Sequence, residues 1–229
     1  MGNNKIWQNT VVVLILLFSF VFLGTVGYAQ SYINENRDVL NYTLAKNESL
    51  NVDGSPYLNN EWKKGTLIFS SGKKLAIDLL NYNVYQGVVS YKVENLEYNP
   101  DMNAQIIGLT IAGRHFILEQ LDKGRGKEIY EVLSDGTIQL LKKYFVSIRK
   151  GKVANGLEKA TKDHFNLETF LFYKRHDGEI KRLVNGKNAL TILEGQESKV
   201  KKFKLDNKLK LKRERDLIEI FDYYNSIVN

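Results

Sequence analysis

The chain has 229 residues, 43% hydrophobic and 11% aromatic, which supports a packed core and excludes a disordered polymer. It holds no cysteine, and so excludes disulfides, a lipid-modified N-terminal cysteine, thiol catalysis and thiolate zinc sites. The net charge of +7 is matched by one window, residues 199–215, where nine lysines and arginines face only Asp206 and Glu214.

The chain opens with an uncharged apolar run, Val11 to Leu23, behind a single Lys5 and ahead of Gly24-Thr25-Val26-Gly27-Tyr28-Ala29. A short n-region, an apolar h-region and a Gly-x-Ala site predict a signal peptide over 1–29, cut after Ala29. The alternative is an uncleaved membrane anchor, because Thr10 to Tyr28 approaches the roughly 20 residues that span a bilayer. Residues 30–54 read as a polar lead-in. Within it Ile33, Val39, Leu40 and Leu44 are spaced for one short amphipathic helix.

From Lys64 the period shortens to two. Gly65 to Phe69 and Lys74 to Leu79 flank Ser70-Ser71-Gly72-Lys73, where glycine supplies the positive φ of a tight hairpin turn. Tyr82, Val84 and Val88 to Val93 continue past Gln86-Gly87. Ile106 to Ile111 and His115 to Leu118 flank Ala112-Gly113-Arg114. Ile129 to Leu133 and Thr137 to Ile148 flank Ser134-Asp135-Gly136, and Glu168 to Lys174 and Glu179 to Val184 flank His176-Asp177-Gly178. No helical stretch separates these strands, which predicts antiparallel meanders over 55–184 rather than βαβ units. The polar interruption Gly151 to Asn166 reads as an internal boundary or a large surface loop.

After Val184 the period lengthens. Asn188 reads as an N-cap for Ala189 to Leu193, and Gly195 as the stop. A basic helix follows over 196–207, with Val200, Phe203, Leu205, Leu209 and Leu211 turned inward. Leu217, Ile220, Phe221, Tyr224 and Val228 form an apolar stripe over 213–227, with Asp216 in its first turn. The expected class is therefore α+β. It is mainly antiparallel β, as a curved sheet, sandwich or partial barrel, with a basic C-terminal helical segment (185–229) packed on it.

Chemical motifs are sparse. Lys123-Gly124-Arg125-Gly126-Lys127 lacks the phosphate-loop spacing and reads as a hairpin loop. His115, His164 and His176 fall on three separate elements, so neither a metal nor another cofactor is expected. A hydrolase acting on envelope polymers with strand carboxylates, drawn from Asp78, Glu94, Glu97, Glu119 and Glu131, is the alternative function, because paired acids can cleave glycosidic bonds. The basic window is the sharper feature. Lys201, Lys202, Lys204, Lys208, Lys210 and Arg213 are the expected contact surface for an envelope protein, an anionic lipid or a glycan. Nucleic acid is not expected, since Phe203 is the only aromatic platform in the window. Exposed Tyr82, Tyr85 and Tyr91 on a concave sheet face would be a second binding surface.

Gly54-Ser55-Pro56-Tyr57-Leu58, Gly65-Thr66-Leu67-Ile68 and Leu80-Asn81-Tyr82-Asn83-Val84-Tyr85 resemble exported proteins of the Bacteroidetes. The run Lys202 to Leu211, then Glu214-x-Asp216-Leu217 and Tyr223-Tyr224-Asn225, is similar to the ending of that group. The resemblance implies export from a two-membrane bacterium and brings no activity with it. The expected function is thus an exported, non-catalytic binding or accessory protein of the bacterial envelope, periplasmic or envelope-associated.

Overall fold

A computed structural model describes residues 43–44, 52–101, 105–120, 126–153, 159–175, 178–184 and 186–228. The expected signal, most of the lead-in and His176 lie outside these residues. The strands are β1 (Thr43–Leu44), β2 (Lys63–Phe69), β3 (Lys74–Asn83), β4 (Val88–Val93), β5 (Leu96–Asn99) and β6 (Ile106–Ile111). They continue with β7 (Arg114–Gln120), β8 (Lys127–Ser134), β9 (Ile138–Arg149), β10 (His164–Arg175) and β11 (Lys181–Arg182). Three helices follow: α1 (Gly186–Ile192), α2 (Glu197–Asp206) and α3 (Glu214–Val228).

All eleven strands join one sheet in the order β1-β5-β4-β3-β2-β6-β7-β8-β9-β10-β11, every ladder antiparallel. One meander runs outward from β2 to β5 and another from β6 to β11, so the consecutive strands that are not neighbours are β1 and β2, and β5 and β6. The fold is α+β and mostly β.

The sheet rolls. Six ladder steps separate β3 from β10, about 29 Å if the sheet were flat. Yet Tyr85, just past β3, meets Phe165 of β10 with ring centroids 5.5 Å apart. Residues 52–62 strap this seam. The Phe165 amide donates to Asp53 O and the Val84 amide to Pro56 O, both at 2.9 Å, and Tyr57 bridges Asn83.

Period two on β9 maps the inner face. Ile138, Leu140, Lys142, Tyr144 and Val146 share it. Tyr144 and Val146 join a core with Leu67, Leu80, Tyr91, Leu109 and Phe116 from the other strands. Ile138 and Leu140 instead join a second core, under the helices, with Leu193, Val200, Leu217, Ile220 and Phe221. Lys142 stands between the two.

Several expectations change. Leu44 lies in β1 rather than a helix; Ile33, Val39 and Leu40 lie outside the described residues. β5 was not anticipated, and Asn188 sits inside α1 rather than capping it. The stretch 151–166 is no boundary, because β9 and β10 pair from Ile138↔Arg175 to Arg149↔His164. The hairpin tightens beyond that pair. Thr161 N donates to Lys152 O at 3.0 Å, and a Cβ on Gly151 would lie 1.9 Å from Thr161 O, so only glycine fits.

Candidate functional site

The basic window forms α2 and the loop that carries the chain into α3. Val200 is fully buried, and Phe203 stacks on Tyr223 of α3 with centroids 4.0 Å apart and planes 4° apart. These contacts fix one side of α2 and leave the other to solvent. Leu205, expected inward, is 69% exposed. It lies one turn from Lys201 and Lys202, because residues three and four apart are neighbours on a helix surface.

The helix ends at a strained lysine. Lys208 has φ of 54°, in the left-handed region that glycine normally fills after a helix. The turn is closed by amide donation from Asn207 to Phe203 O (3.1 Å), from Lys208 to Leu205 O (3.1 Å) and from Leu209 to Lys204 O (2.9 Å). Buried Leu209 then anchors the loop. Beyond it, Asp216 in the first turn of α3 accepts the Lys210 amide at 2.8 Å through Oδ2. Its Oδ1 lies 3.6 Å from Arg215 Nε. Asp216 is buried at the N-terminal end of α3. The loop is thus held by its backbone, and its lysine heads remain outside.

Of the six residues expected to make contacts, Lys202 pairs with Asp206 at 2.7 Å. Lys201, Lys204, Lys208, Lys210 and Arg213 have no acidic side-chain partner among the described residues, and all but half-buried Lys204 are exposed. The structure brings the six together along one ordered segment, 201–213. It does not gather them into a pocket.

A second polar assembly, unforeseen in the sequence, lies between the two cores. Arg114 donates to both carboxylate oxygens of Glu131, at 2.7 and 2.9 Å, and also to Tyr144 Oη. Tyr144 in turn donates to Glu131 at 2.5 Å. Lys142 Nζ lies 3.9 Å from Glu131 and 2.5 Å from Glu214 of α3. Burial alone would raise the Glu131 carboxyl, but the Arg114 and Tyr144 hydrogen bonds outweigh it and hold the group below the ordinary carboxylate range. Burial, then the bond to Glu131, pushes the Tyr144 phenol upward. The signal that could have found this assembly is a charge in an inward slot of an alternating strand: Glu131 between Ile129 and Leu133, Lys142 between Leu140 and Tyr144.

The other strand acids are scattered. Asp78 lies 3.5 Å from Lys64 at the surface, Glu97 accepts from Tyr57 Oη at 2.7 Å, and Glu119 pairs with Lys174 at 2.6 Å. Glu94 occupies the β4–β5 turn with φ of 55°. The inner face is filled rather than open. Tyr82 and Tyr91 are core residues, and of the three tyrosines only Tyr85 is exposed. Burial pushes the Tyr82 phenol up to about 12. His115 and His164 are exposed on separate strands, and no group of three potential metal ligands occurs among the described residues. None of the described helices is long and apolar enough to cross a membrane.

Comparison with protein-family models, curated proteins and solved structures finds no match to this chain.

Proposed function

We propose that the protein is an exported, non-catalytic binding or accessory component of the bacterial envelope that holds an anionic partner on the segment 201–213. One observation carries this reading: Lys208 places a cation in a left-handed backbone position that glycine would occupy at lower cost. Local strain retained in an ordered segment points to a role outside the fold. The unpaired neighbours Lys201, Lys204, Lys210 and Arg213 supply the rest of the charge. An ordered backbone further lowers the entropy lost when a partner is bound. Export is supported by the N-terminal signal pattern and by the Bacteroidetes resemblance.

The test separates binding from folding. Lys208→Gly should raise stability by about 1 kcal/mol, the usual cost of a non-glycine residue in this conformation. The same change should weaken capture of the anionic partner in cells, scored by crosslinking a C-terminally tagged copy. Changing all six basic residues to Gln should abolish capture while the thermal transition persists. Capture that survives the six changes would overturn the reading.

A further inference from the structure

The outer face of the sheet carries a cleft of about 490 Å³ that the basic segment does not line. Its floor is Gly108, whose ladder neighbours are Ile68 on β2 and Ile117 on β7. With no side chain at Gly108, the two isoleucines stand as walls with an open slot between them. A Cβ there would sit 3.0 Å from Phe116 O and reach toward Ile68. Val132 extends the apolar wall, and Ile107, 48% exposed, forms part of its rim. The opposite end is acidic. Asp135 and Asp222 both border the cleft, together with Gln139 and the His115 imidazole.

The two carboxylates are held differently. Asp135 accepts from Gly136 N at 3.0 Å and from Gln139 Nε2 at 2.8 Å, both through Oδ1. Asp222 is exposed and has no hydrogen bond or ion pair among the described residues. One turn further along α3, buried Asn225 donates from Nδ2 to Asp135 O at 3.1 Å. That bond ties the helix to the β8–β9 turn and so fixes one acid relative to the other.

We propose that this cleft binds a small organic ammonium ion, an alkyl or aryl body ending in a protonated amine. The body lies over Gly108 between Ile68 and Ile117, where its burial is favourable. The ammonium, with three donors and no acceptor, sits between Asp135 and Asp222. A neutral analogue would leave the carboxylates without a counter-charge, and an anionic one would be repelled. The volume falls within the range of small-molecule sites and is small for a folded partner.

The test uses the protein with phenethylammonium as the probe, followed by amide chemical shifts. Saturable shifts confined to Gly108, Ile117, Val132 and Gln139 are expected. Asp222→Asn should weaken binding about tenfold without changing the fold, since that side chain supports nothing else. The variant with all six basic residues changed to Gln should bind unchanged, which separates this site from the anionic surface. Phenethyl alcohol and phenylacetate should not bind. Absence of saturable shifts, equal binding by phenylacetate, or an Asp222→Asn variant that binds as well as the parent would each overturn the proposal.

Discussion

Glu131 receives two bonds from Arg114 and one from Tyr144 at a position otherwise surrounded by apolar side chains. Removing its charge leaves Arg114 and Lys142 facing each other in a region shielded from water. Because the Arg114 side chain is 31% exposed, the cost should fall at the lower end for broken buried pairs, about 3 kcal/mol in Glu131→Gln. Urea denaturation at neutral pH measures it. Acid titration supplies the sign. The folded-state pKa of Glu131 is depressed, so its stabilising contribution is complete above the ordinary carboxylate value of about 4.3 and fades as pH falls through the lower, folded value. The difference between parent and variant should therefore shrink below about pH 4. A difference that is flat down to pH 2 would show that packing, not charge, is responsible.

Asn225 is the other residue on which much depends. Its Oδ1 accepts from Ile138 N at 3.0 Å, while its Nδ2 donates to Ile138 O at 3.0 Å and Asp135 O at 3.1 Å. Asn225→Ala would orphan buried backbone groups, each worth about 1–3 kcal/mol. A loss of about 3 kcal/mol in denaturation midpoint experiments is expected. Gly136 is fitted to this side chain: its φ is +141°, and a Cβ there would lie 2.6 Å from Asn225 Cγ.

Among the elements, α3 is core rather than docking arm. It buries Leu217, Ile220, Phe221 and Tyr224 against Ile138 and Leu140 of β9. Phe221→Ala should cost about 3–5 kcal/mol, and deleting 213–229 should abolish the cooperative transition seen by circular dichroism. A truncated chain that still folds would make α3 an appendage. The apolar steps of α3 made it legible in the sequence, as alternation and glycine turns made β2–β4 and β6–β9. The places that escaped reading have physical reasons. β5 follows a turn with no glycine, because Glu94 itself takes the positive φ. The start of β10, His164 to Leu167, lies outside the strand read from Glu168 to Lys174; this stretch pairs with β9 but not with β11, and His164 and Leu167 are exposed. At the basic surface, composition located the charge. Nothing in composition showed that Leu205 would face water or that Lys208 would take a glycine's conformation, since both follow from how α2 is tied to α3.

For the whole molecule, the rolled sheet and the filled inner face move any contact with a partner to the outside. Mass spectrometry of the protein recovered from the envelope fraction should find Gln30 as the first residue. A chain retaining Met1 there would favour the anchor instead. Shape also sets the order of events in folding. The strap closes Asp53 onto Phe165, and Asn225 reaches back 87 positions to Ile138. Contacts of such separation form late, because the intervening chain must be closed into a loop first. A chain leaving the ribosome N-terminus first has made both strands of the β8–β9 hairpin long before their cover exists. Ile138 and Leu140 stay bare until the final helix arrives, so the second core closes after the first, which the strands build alone. The closing helix, by coming last, acts as a timer on that half of the molecule, whose core is sealed only when Leu217, Ile220 and Phe221 are in place.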